Sequence, residues 1–389
     1  MTKYSLAVES WDQSEHDAIQ RVVASGRFTM GPEVKAFEQQ AAQYFGAPYC
    51  VMVNSGSSAN LLGVAGAIYH PDVDLNPGDE VLVPAVSWST TYYPLHQYGL
   101  KIRLIDIDPN TLNIDLSKLA SAITDKTKAI FAVNLLGNPN DFDHLSRICQ
   151  ENNLIFFEDN CESMGATYKG RQAGSFGLFG TFSCFFSHHI STMEGGLVLC
   201  HDEKMYHTLL SLRAHGWTRE QPEHSHLNEE HDEFMSLFRF VLPGYNLRPL
   251  EMSGAIGQEQ LKKLPAMVKQ RQKNAGKFVS LFSQFPGLNI QREVGESSWF
   301  GFSLICEGHL AGRRKDIIAA LKSADIEYRP IVAGNIYNNS VCQFMDIEPA
   351  TDLVNADLID RDGFFVGNSH ENLESQLDHL HQTLLPFRD

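Results

Sequence analysis

The chain has few of the features that place a protein at a membrane or on a nucleic acid. No apolar run reaches the roughly 18 residues that a membrane-spanning helix needs, and the first residues contain no apolar signal segment. Basic residues are outnumbered, 31 Lys and Arg against 47 Asp and Glu, and the resulting net charge of -16 repels polyanions. We therefore expect a soluble, cytoplasmic protein that binds neither nucleic acid nor a membrane.

Cysteines are also few, and they are scattered. No two of them form a CxxC pair or a short Cys/His spacing, which indicates reduced thiols and argues against a disulfide framework, a metal site or an iron–sulfur cluster. The seven are Cys50, Cys149, Cys161, Cys184, Cys200, Cys306 and Cys342. Segment 220–236, "EQPEHSHLNEEHDEFMS", contains His224, His226 and His231, but their spacing fits no usual metal template and favours a solvated loop.

What the sequence does contain is an alternation of short apolar runs with amphipathic segments between about residues 47 and 200. The apolar runs include "YCVMV", "DEVLVP", "KIRLIDID", "KAIFAVNLL", "LIFFED" and "GGLVLC", and helix-like segments lie at 57–70, 88–98 and 141–151. This alternation predicts an α/β fold with a mostly parallel sheet flanked by helices.

The chain is long enough for two domains, because single cores stop growing near 250 to 300 residues. A long helical pattern begins at Glu251 and leads into a region of mixed α and β character. We predict a large domain at 1–250, which includes an N-terminal helical segment, and a small C-terminal α+β domain at 251–389.

Three motifs lie where the predicted strands end, the edge at which open α/β sheets bind ligands. In "VMVNSGSSANLL", residues 55–57 lie between a strand and a helix, so they suit a phosphate or form a plain N-terminal cap. Asp159 ends "LIFFED", where its carboxylate could hold a pyridinium N–H or cap a helix. Trp88 in "PAVSWSTTYYPL" could stack on a flat ring or pack in the core.

Taken in order, the motifs resemble one known family. The series "SGS", "GDEVLVPAVSW", "TKAIFAVNLLGNP", "EDNCESMGA", "GTFSCFFSHHISTMEGG", "HGW" and "LPGYNLRPLEMSGAIGQEQL" is similar, over most of the chain, to the sugar aminotransferases. Their fold is that of aspartate aminotransferase, fold type I, and their cofactor is pyridoxal 5'-phosphate (PLP), which cycles with pyridoxamine 5'-phosphate (PMP). The resemblance implies that fold, that cofactor and a homodimer with shared active sites.

The resemblance assigns phosphate contacts to four positions of this chain. Gly56 and Ser57 match the family's phosphate-binding turn, and Ser183 matches the serine of its SF element. Asn246 matches the asparagine of the GYNxR segment, which would reach the phosphate bound by the neighbouring subunit.

The family pattern also implies three contacts to the cofactor ring. Trp88 matches the stacking aromatic residue, and Asp159 matches the residue that binds the pyridinium nitrogen. Glu162 stands near the ring oxygen, where the family usually has Gln or His.

The chain departs from the family in "FSCFFSHHISTMEGG". The family has a lysine six residues before the acid of EGG, where it forms the Schiff base with PLP; counting back from Glu194 leads to His188. Imidazole has no primary amine, so PLP would be bound noncovalently. Because histidine titrates near neutrality, His188 would act as an acid and base. We expect His189 to pack or hydrogen-bond beside it.

The departure resembles a branch of the family, the sugar 3-dehydratases. One type of this branch requires an iron–sulfur cluster, whose closely spaced cysteines are missing here, whereas the type acting on a GDP-linked sugar uses no metal. The resemblance implies that L-glutamate converts PLP to PMP and that a nucleotide-linked 4-keto-6-deoxy sugar loses its C3 hydroxyl, a step in dideoxysugar biosynthesis. The candidate substrate contacts are Ser187, His215, Arg219 and Arg329.

Two alternatives remain open at this point. The same chemistry could act on a different nucleotide-linked 4-keto sugar, or the chain could be a catalytically inactive relative that binds or regulates. Retention of Ser57, Trp88, Asp159 and Ser183 around His188 favours chemistry, because an inactive relative needs no acid and base at the missing lysine.

Overall fold

The structure is a computed structural model that describes residues 3–228 and 233–388. Fourteen strands are formed by the described residues: β1 Tyr49–Val53, β2 Glu80–Pro84, β3 Lys101–Ile105, β4 Thr127–Val133, β5 Ile155–Asp159, β6 Thr167–Tyr168, β7 Arg171–Gln172, β8 Phe179–Ser183, β9 Gly196–Cys200, β10 Leu288–Ile290, β11 Gly301–Cys306, β12 Tyr328–Arg329, β13 Ile347–Pro349 and β14 Gly363–Gly367.

Twelve α-helices accompany these strands within the same described ranges. They are α1 Gln13–Ser25, α2 Pro32–Phe45, α3 Gly56–Ile68, α4 Ser89–Gln97, α5 Leu116–Ala122, α6 Phe142–Asn152, α7 Glu203–Arg213, α8 Glu233–Ser236, α9 Glu251–Phe282, α10 Arg314–Ser323, α11 Val354–Asp362 and α12 Glu374–Leu384. No helix of the described ranges is both long and apolar enough to cross a bilayer.

The main sheet has eight strands in the order β1-β9-β8-β5-β4-β2-β3-β13. Five neighbouring pairs are parallel, and β9 alone is inverted, antiparallel to both β8 and β1. The predicted mostly parallel α/β sheet is confirmed. Because β1, β2, β4, β5 and β8 run in the same direction, their carboxyl ends meet along one edge.

The strands of this sheet are apolar on both faces because helices cover both. In β4, Ala129 and Phe131 pack into one buried cluster, with α3 side chains, whereas Ile130 and Ala132 pack into another, with α6 side chains. Burying an aliphatic or aromatic side chain of this kind contributes about 1.5–3 kcal/mol. The edge that carries the strand ends is thereby held by a rigid core.

Helix α9 joins this core to a second one. Leu261, Leu264 and Val268 pack with α2 and the β1 side of the main sheet, and Phe278 and Phe282, further along the helix, pack in the C-terminal region. That region contains an antiparallel sheet in the order β10-β11-β14-β12. The same C-terminal region also contains β13, which pairs with β3 in the main sheet. Because a strand from beyond residue 250 belongs to the main sheet, the division at 250 stays a prediction.

Candidate active site

A cavity of about 340 Å³ lies at the edge where the parallel strands end. Eight residues singled out in the sequence line it: Gly56, Ser57, Trp88, Asp159, Glu162, Ser183, Ser187 and His188. They follow β1, β2, β5 and β8, so elements distant in the chain bring them together.

One end of the cavity is the amino terminus of α3. Ser55 caps this helix by accepting a hydrogen bond from the Ser58 N–H at 3.1 Å. A Cβ placed on Gly56 would lie 2.6 Å from the Ser183 Cβ, so glycine lets the helix start approach the end of β8. Ser57 Oγ donates to Thr90 Oγ1 at 3.1 Å. First-turn N–H groups have no intrahelical partner, and with these hydroxyls they fit a phosphate.

The cavity lining also contains Asp159, which is 4% exposed. Its Oδ2 accepts hydrogen bonds from Asn60 Nδ2 and Thr91 Oγ1, both at 2.8 Å, and its Oδ1 accepts the Cys161 N–H at 3.0 Å. Asn60 is held in turn by the Thr181 hydroxyl, which donates to its Oδ1 at 2.6 Å. A carboxylate has about four acceptor sites, so this one is fixed and retains room for an additional N–H donor such as a pyridinium.

Trp88 and Glu162 also line the cavity. Trp88 precedes α4 and is 58% exposed, so its indole is available to stack on a ring and is not a core residue. Glu162 Oε2 accepts the Leu136 N–H at 3.0 Å. Burial raises the pKa of Glu162 to about 7, and the negative charge of Asp159 acts in the same direction. Glu162 is therefore partly protonated near neutrality and could donate to an oxygen, as a Gln would.

His188 lies in the loop between β8 and β9, with its ring in an apolar corner. The ring meets those of Phe300 and Phe185 edge-on, with centroid distances of 5.1 and 5.8 Å. Burial lowers the pKa of His188 to about 4, and the charge of Arg271 acts the same way. Its buried Nδ1 has no hydrogen-bond partner in the described chain. The imidazole is therefore neutral at pH 7 and is able to accept a proton.

His189 has a different environment although it is the next residue. It is 1% exposed, it does not line the cavity, and its Nε2 lies 3.1 Å from the Ser298 carbonyl oxygen. Burial lowers the pKa of His189 well below the usual value. It packs and hydrogen-bonds beside His188.

Four residues named from the sequence lie outside this cavity. Asn246 is exposed, and its Oδ1 accepts a hydrogen bond from Arg248 Nε at 3.0 Å. The His215 ring lies 4.9 Å from that of Trp217, and the Arg219 guanidinium lies 5.3 Å from the same indole.

The fourth, Arg329, is also exposed, and its Nη1 donates to its neighbour's carbonyl oxygen. The proposed roles of these four residues stay predictions.

Among the described residues of the His-rich segment, His224 and His226 are exposed. His224 Nε2 is 3.1 Å from Glu203 Oε1, and His207 on α7 places a ring nitrogen within 4.8 Å of these two groups. Spacing along the chain could not show this grouping, because two of its members precede segment 220–236. Residues 229–232, which include His231, lie outside the described residues.

Sequence reasoning missed the residues that support the site. Asn60 and Thr91 are buried polar side chains on helices that are otherwise largely apolar on their inner faces, which is a signal that could have been used. Phe300 and Arg271 reach His188 from the C-terminal half of the chain. No local pattern points to that contact.

The chain is similar to known proteins over nearly its whole length. The family model described as the DegT/DnrJ/EryC1/StrS aminotransferase family matches residues 9–382. A GDP-4-keto-6-deoxy-D-mannose 3-dehydratase of Yersinia pseudotuberculosis is 55% identical over 387 residues, which is 99% of this chain and 98% of that protein.

Two crystal structures of a GDP-4-keto-6-deoxymannose-3-dehydratase each match with a TM-score of 0.96 and 52% identity, over 98% of this chain and 100% of theirs. One contains a trapped PLP-glutamate geminal diamine. The other is an H188N mutant with bound GDP-perosamine.

Proposed function

The chain belongs to the DegT/DnrJ/EryC1/StrS aminotransferase family, and we propose that it is a PLP-dependent nucleotide-sugar 3-dehydratase. It removes the C3 hydroxyl of GDP-4-keto-6-deoxy-D-mannose and gives GDP-4-keto-3,6-dideoxy-D-mannose, with glutamate as amino donor. The observation that carries the proposal is a neutral imidazole, His188, at the family's lysine position in a cavity otherwise fitted to PLP. Relatives with this activity match nearly the whole chain.

The residues of the cavity divide the work of binding. PLP, when bound, takes an amino group from glutamate and provides the electron sink that loss of a hydroxyl beside a C4 ketone requires. Asp159 holds the pyridinium N–H, and the start of α3 holds the phosphate together with Ser57 and Ser183. Trp88 covers a face of the ring, and Glu162 donates to the ring oxygen.

His188 moves the protons. Because it is neutral at pH 7, it starts as a base and takes up the proton that the reaction releases. Once protonated it is a stronger acid than a free imidazolium, because its buried surroundings disfavour the positive charge, and it returns the proton to the departing C3 hydroxyl. The apolar side chains of Leu135, Phe185 and Val332 line the same space and exclude water.

The charge of the cavity supports a contribution from a second subunit. The lining contains the carboxyl groups of Asp159, Glu162 and Glu194 and, among the residues described, no lysine or arginine. PLP and a nucleoside diphosphate sugar together carry several negative charges, which arginine side chains neutralise best. The missing cations must come from outside this lining.

The proposal therefore includes a homodimer in which residues 214–228 and 233–248 of one chain complete the cavity of the other. Arg219 and Arg248 both lie over the Trp217 ring, at 5.3 and 6.0 Å, and Arg248 also positions Asn246. Exposed apolar side chains surround this part of the chain or pair with it, and such patches mark interfaces. They are Phe28, Phe234, Met235, Leu237, Phe238, Phe240 and Leu250.

The proposal also includes a place for the reaction in the cell. A cytoplasmic enzyme with this product would contribute to dideoxysugar biosynthesis for the O-antigen of lipopolysaccharide, for example colitose. The nucleotide-linked substrate of the relatives supports this placement.

The activity is tested by incubating the protein with PLP, glutamate and GDP-4-keto-6-deoxy-D-mannose. We expect 2-oxoglutarate, ammonia and a nucleotide sugar with one oxygen atom fewer by mass. His188→Asn is the control for the proton transfer, and a CDP-linked 4-keto sugar tests the choice of nucleotide. No 2-oxoglutarate together with an unchanged sugar would overturn the proposal and favour an inactive binding protein.

A further inference from the structure

Arg271 is a buried cation without a carboxylate partner. It lies in the middle of α9, is 5% exposed, and donates through Nη1 to the carbonyl oxygens of Asn368 at 2.8 Å, Phe300 at 3.2 Å and Trp299 at 3.4 Å. No acid of the described chain forms an ion pair with it, burial being the one influence on its pKa, and its Nε has no partner there. A buried charge that is not neutralised is costly, so its retention calls for a reason.

The carbonyl groups that hold Arg271 belong to the segment that packs on the two histidines. Phe300 offers its carbonyl oxygen to Arg271 and its ring to His188, at a centroid distance of 5.1 Å. Ser298, two residues earlier, contacts His189 Nε2 through its carbonyl oxygen at 3.1 Å. Residues 298–300 therefore lie between the cation and the imidazoles. Ser298 and Trp299 are buried away from water, so a charge is felt across this segment more strongly than across water.

Other titratable groups also surround the His188 imidazole, and they oppose or add to this field. Three carboxyl groups line the same cavity as His188, those of Asp159, Glu162 and Glu194. Two further histidines, His189 and His370, lie close enough to Arg271 for its charge to lower their pKa. Burial and the charge of Arg271 are the influences that lower the pKa of His188. Arg271 is thus the charged group whose field acts on His188.

On the basis of the proposed function, we propose that Arg271 is a positioning residue for the catalytic proton transfer. Its unpaired positive charge keeps His188 neutral before the reaction and expels the proton afterwards, and its carbonyl contacts hold the Phe300 ring against the imidazole. The charge acts through space, and Arg271 itself does not line the cavity.

Two substitutions separate the charge from the packing. Arg271→Gln removes the charge but keeps an N–H donor for the carbonyl groups, and Arg271→Lys keeps the charge with a different donor. Arg314→Gln is the matched control, because Arg314 also donates to two backbone carbonyl oxygens in the C-terminal region, those of Asp360 and Gly363. Circular dichroism and thermal unfolding show whether each variant is folded.

The measurement is the protonation of His188, followed by NMR of histidine-labelled protein with and without PLP and assigned with His188→Asn. We expect Arg271→Gln to raise the midpoint by about 1 pH unit, because loss of a nearby positive charge favours the imidazolium. The variants Arg271→Lys and Arg314→Gln should have a midpoint near that of the wild type. The acid limb of kcat/KM should move with the NMR midpoint.

An unchanged His188 midpoint in Arg271→Gln would overturn the proposal, and so would an equal shift in Arg271→Lys. If Arg271→Gln does not fold, Arg271→Met and Arg271→Lys are compared in the same way. The NMR titration requires no substrate, so its result is independent of whether the protein dehydrates a sugar.

Discussion

Two regions named from the sequence differ in how complete they are. The strand-end region, formed by residues that end or follow β1, β2, β5 and β8, brings its predicted side chains into a single cavity in which Asp159 is already held by hydrogen bonds. The arginine-bearing region, residues 214–228 and 233–248, holds its predicted side chains on an exposed aromatic surface outside that cavity. The first region requires only the fold of one chain.

The difference separates two tasks of the site. The strand-end region offers hydroxyls, N–H groups and carboxylates, which suit the ring and the phosphate of PLP. The arginine-bearing region offers the cations that this acidic cavity is short of and that a nucleoside diphosphate requires. We infer that the strand-end region carries out the chemistry. The arginine-bearing region of a second copy of the chain supplies the substrate contacts.

The largest expected effect is in the strand-end region. Asp159→Asn removes the charge that keeps a bound pyridinium protonated, and we expect kcat to fall on the order of 10³-fold with unchanged folding. Steady-state kinetics and thermal unfolding measure this. Asp143→Asn is the control, since Asp143 forms an exposed pair with Lys169, and more than a tenth of the activity remaining in Asp159→Asn would contradict the assignment.

The sharing of sites is tested with the arginine-bearing region. Asn246→Ala should weaken PLP binding about 10–100-fold through loss of a hydrogen bond to the phosphate. When it is unfolded and refolded together with Asp159→Asn and assayed at a PLP concentration that loads the wild type but not the Asn246→Ala dimer, about a quarter of the wild-type activity should return, because half of the dimers would be mixed and each would have one intact site. Activity equal to the mean of the two parents would show that each chain has a self-contained site.

A smaller effect concerns substrate binding by the same region. Arg219→Ala should raise KM for the nucleotide sugar about 10-fold and leave kcat nearly unchanged, since the loss affects the diphosphate and not the reacting carbon. Arg292→Ala, at an exposed position, is the control. A fall in kcat with an unchanged KM would contradict the prediction that Arg219 binds the diphosphate.

The smallest expected effect returns to the strand-end region. Glu162→Gln should change kcat less than about 3-fold at pH 7, because the protonated carboxyl and the amide donate alike. We expect the activity of the wild type to decline as the pH rises through 7, because Glu162 then loses its proton, and we expect no such decline in Glu162→Gln. Because the folded state binds this proton more tightly, the free energy of unfolding should also decrease between pH 4.5 and 7 in the wild type and less in Glu162→Gln. If the activity of Glu162→Gln also declined as the pH rises through 7, a group other than Glu162 would be responsible for the decline.

Much of the strand-end region could be predicted, because each of its residues directly follows an apolar run. Asp159 ends such a run, and Gly56 begins the helix that follows β1. Strand β8 had no distinct boundary in the sequence, since the apolar residues of 179–183 continue into "CFF". The three residues of β13 join the main sheet beside β3 from more than 240 residues away, so local propensity could not show the pairing.

The environment of His188 could not be predicted in the same way. Counting back from Glu194 identifies the missing lysine, but burial by Phe300 and the field of Arg271 depend on contacts with residues 83 or more positions away in the chain. Whether this imidazole is a base at pH 7 is decided by those contacts.

The central claim is that the chain binds PLP without a covalent bond and uses His188 in place of a lysine. It is tested most directly by reducing the PLP-loaded protein with borohydride, denaturing it and measuring its mass. We predict an unchanged mass for the wild type and the added mass of the reduced cofactor for His188→Lys, which should no longer dehydrate the sugar. A wild-type protein that retained the reduced cofactor on a lysine would contradict the account.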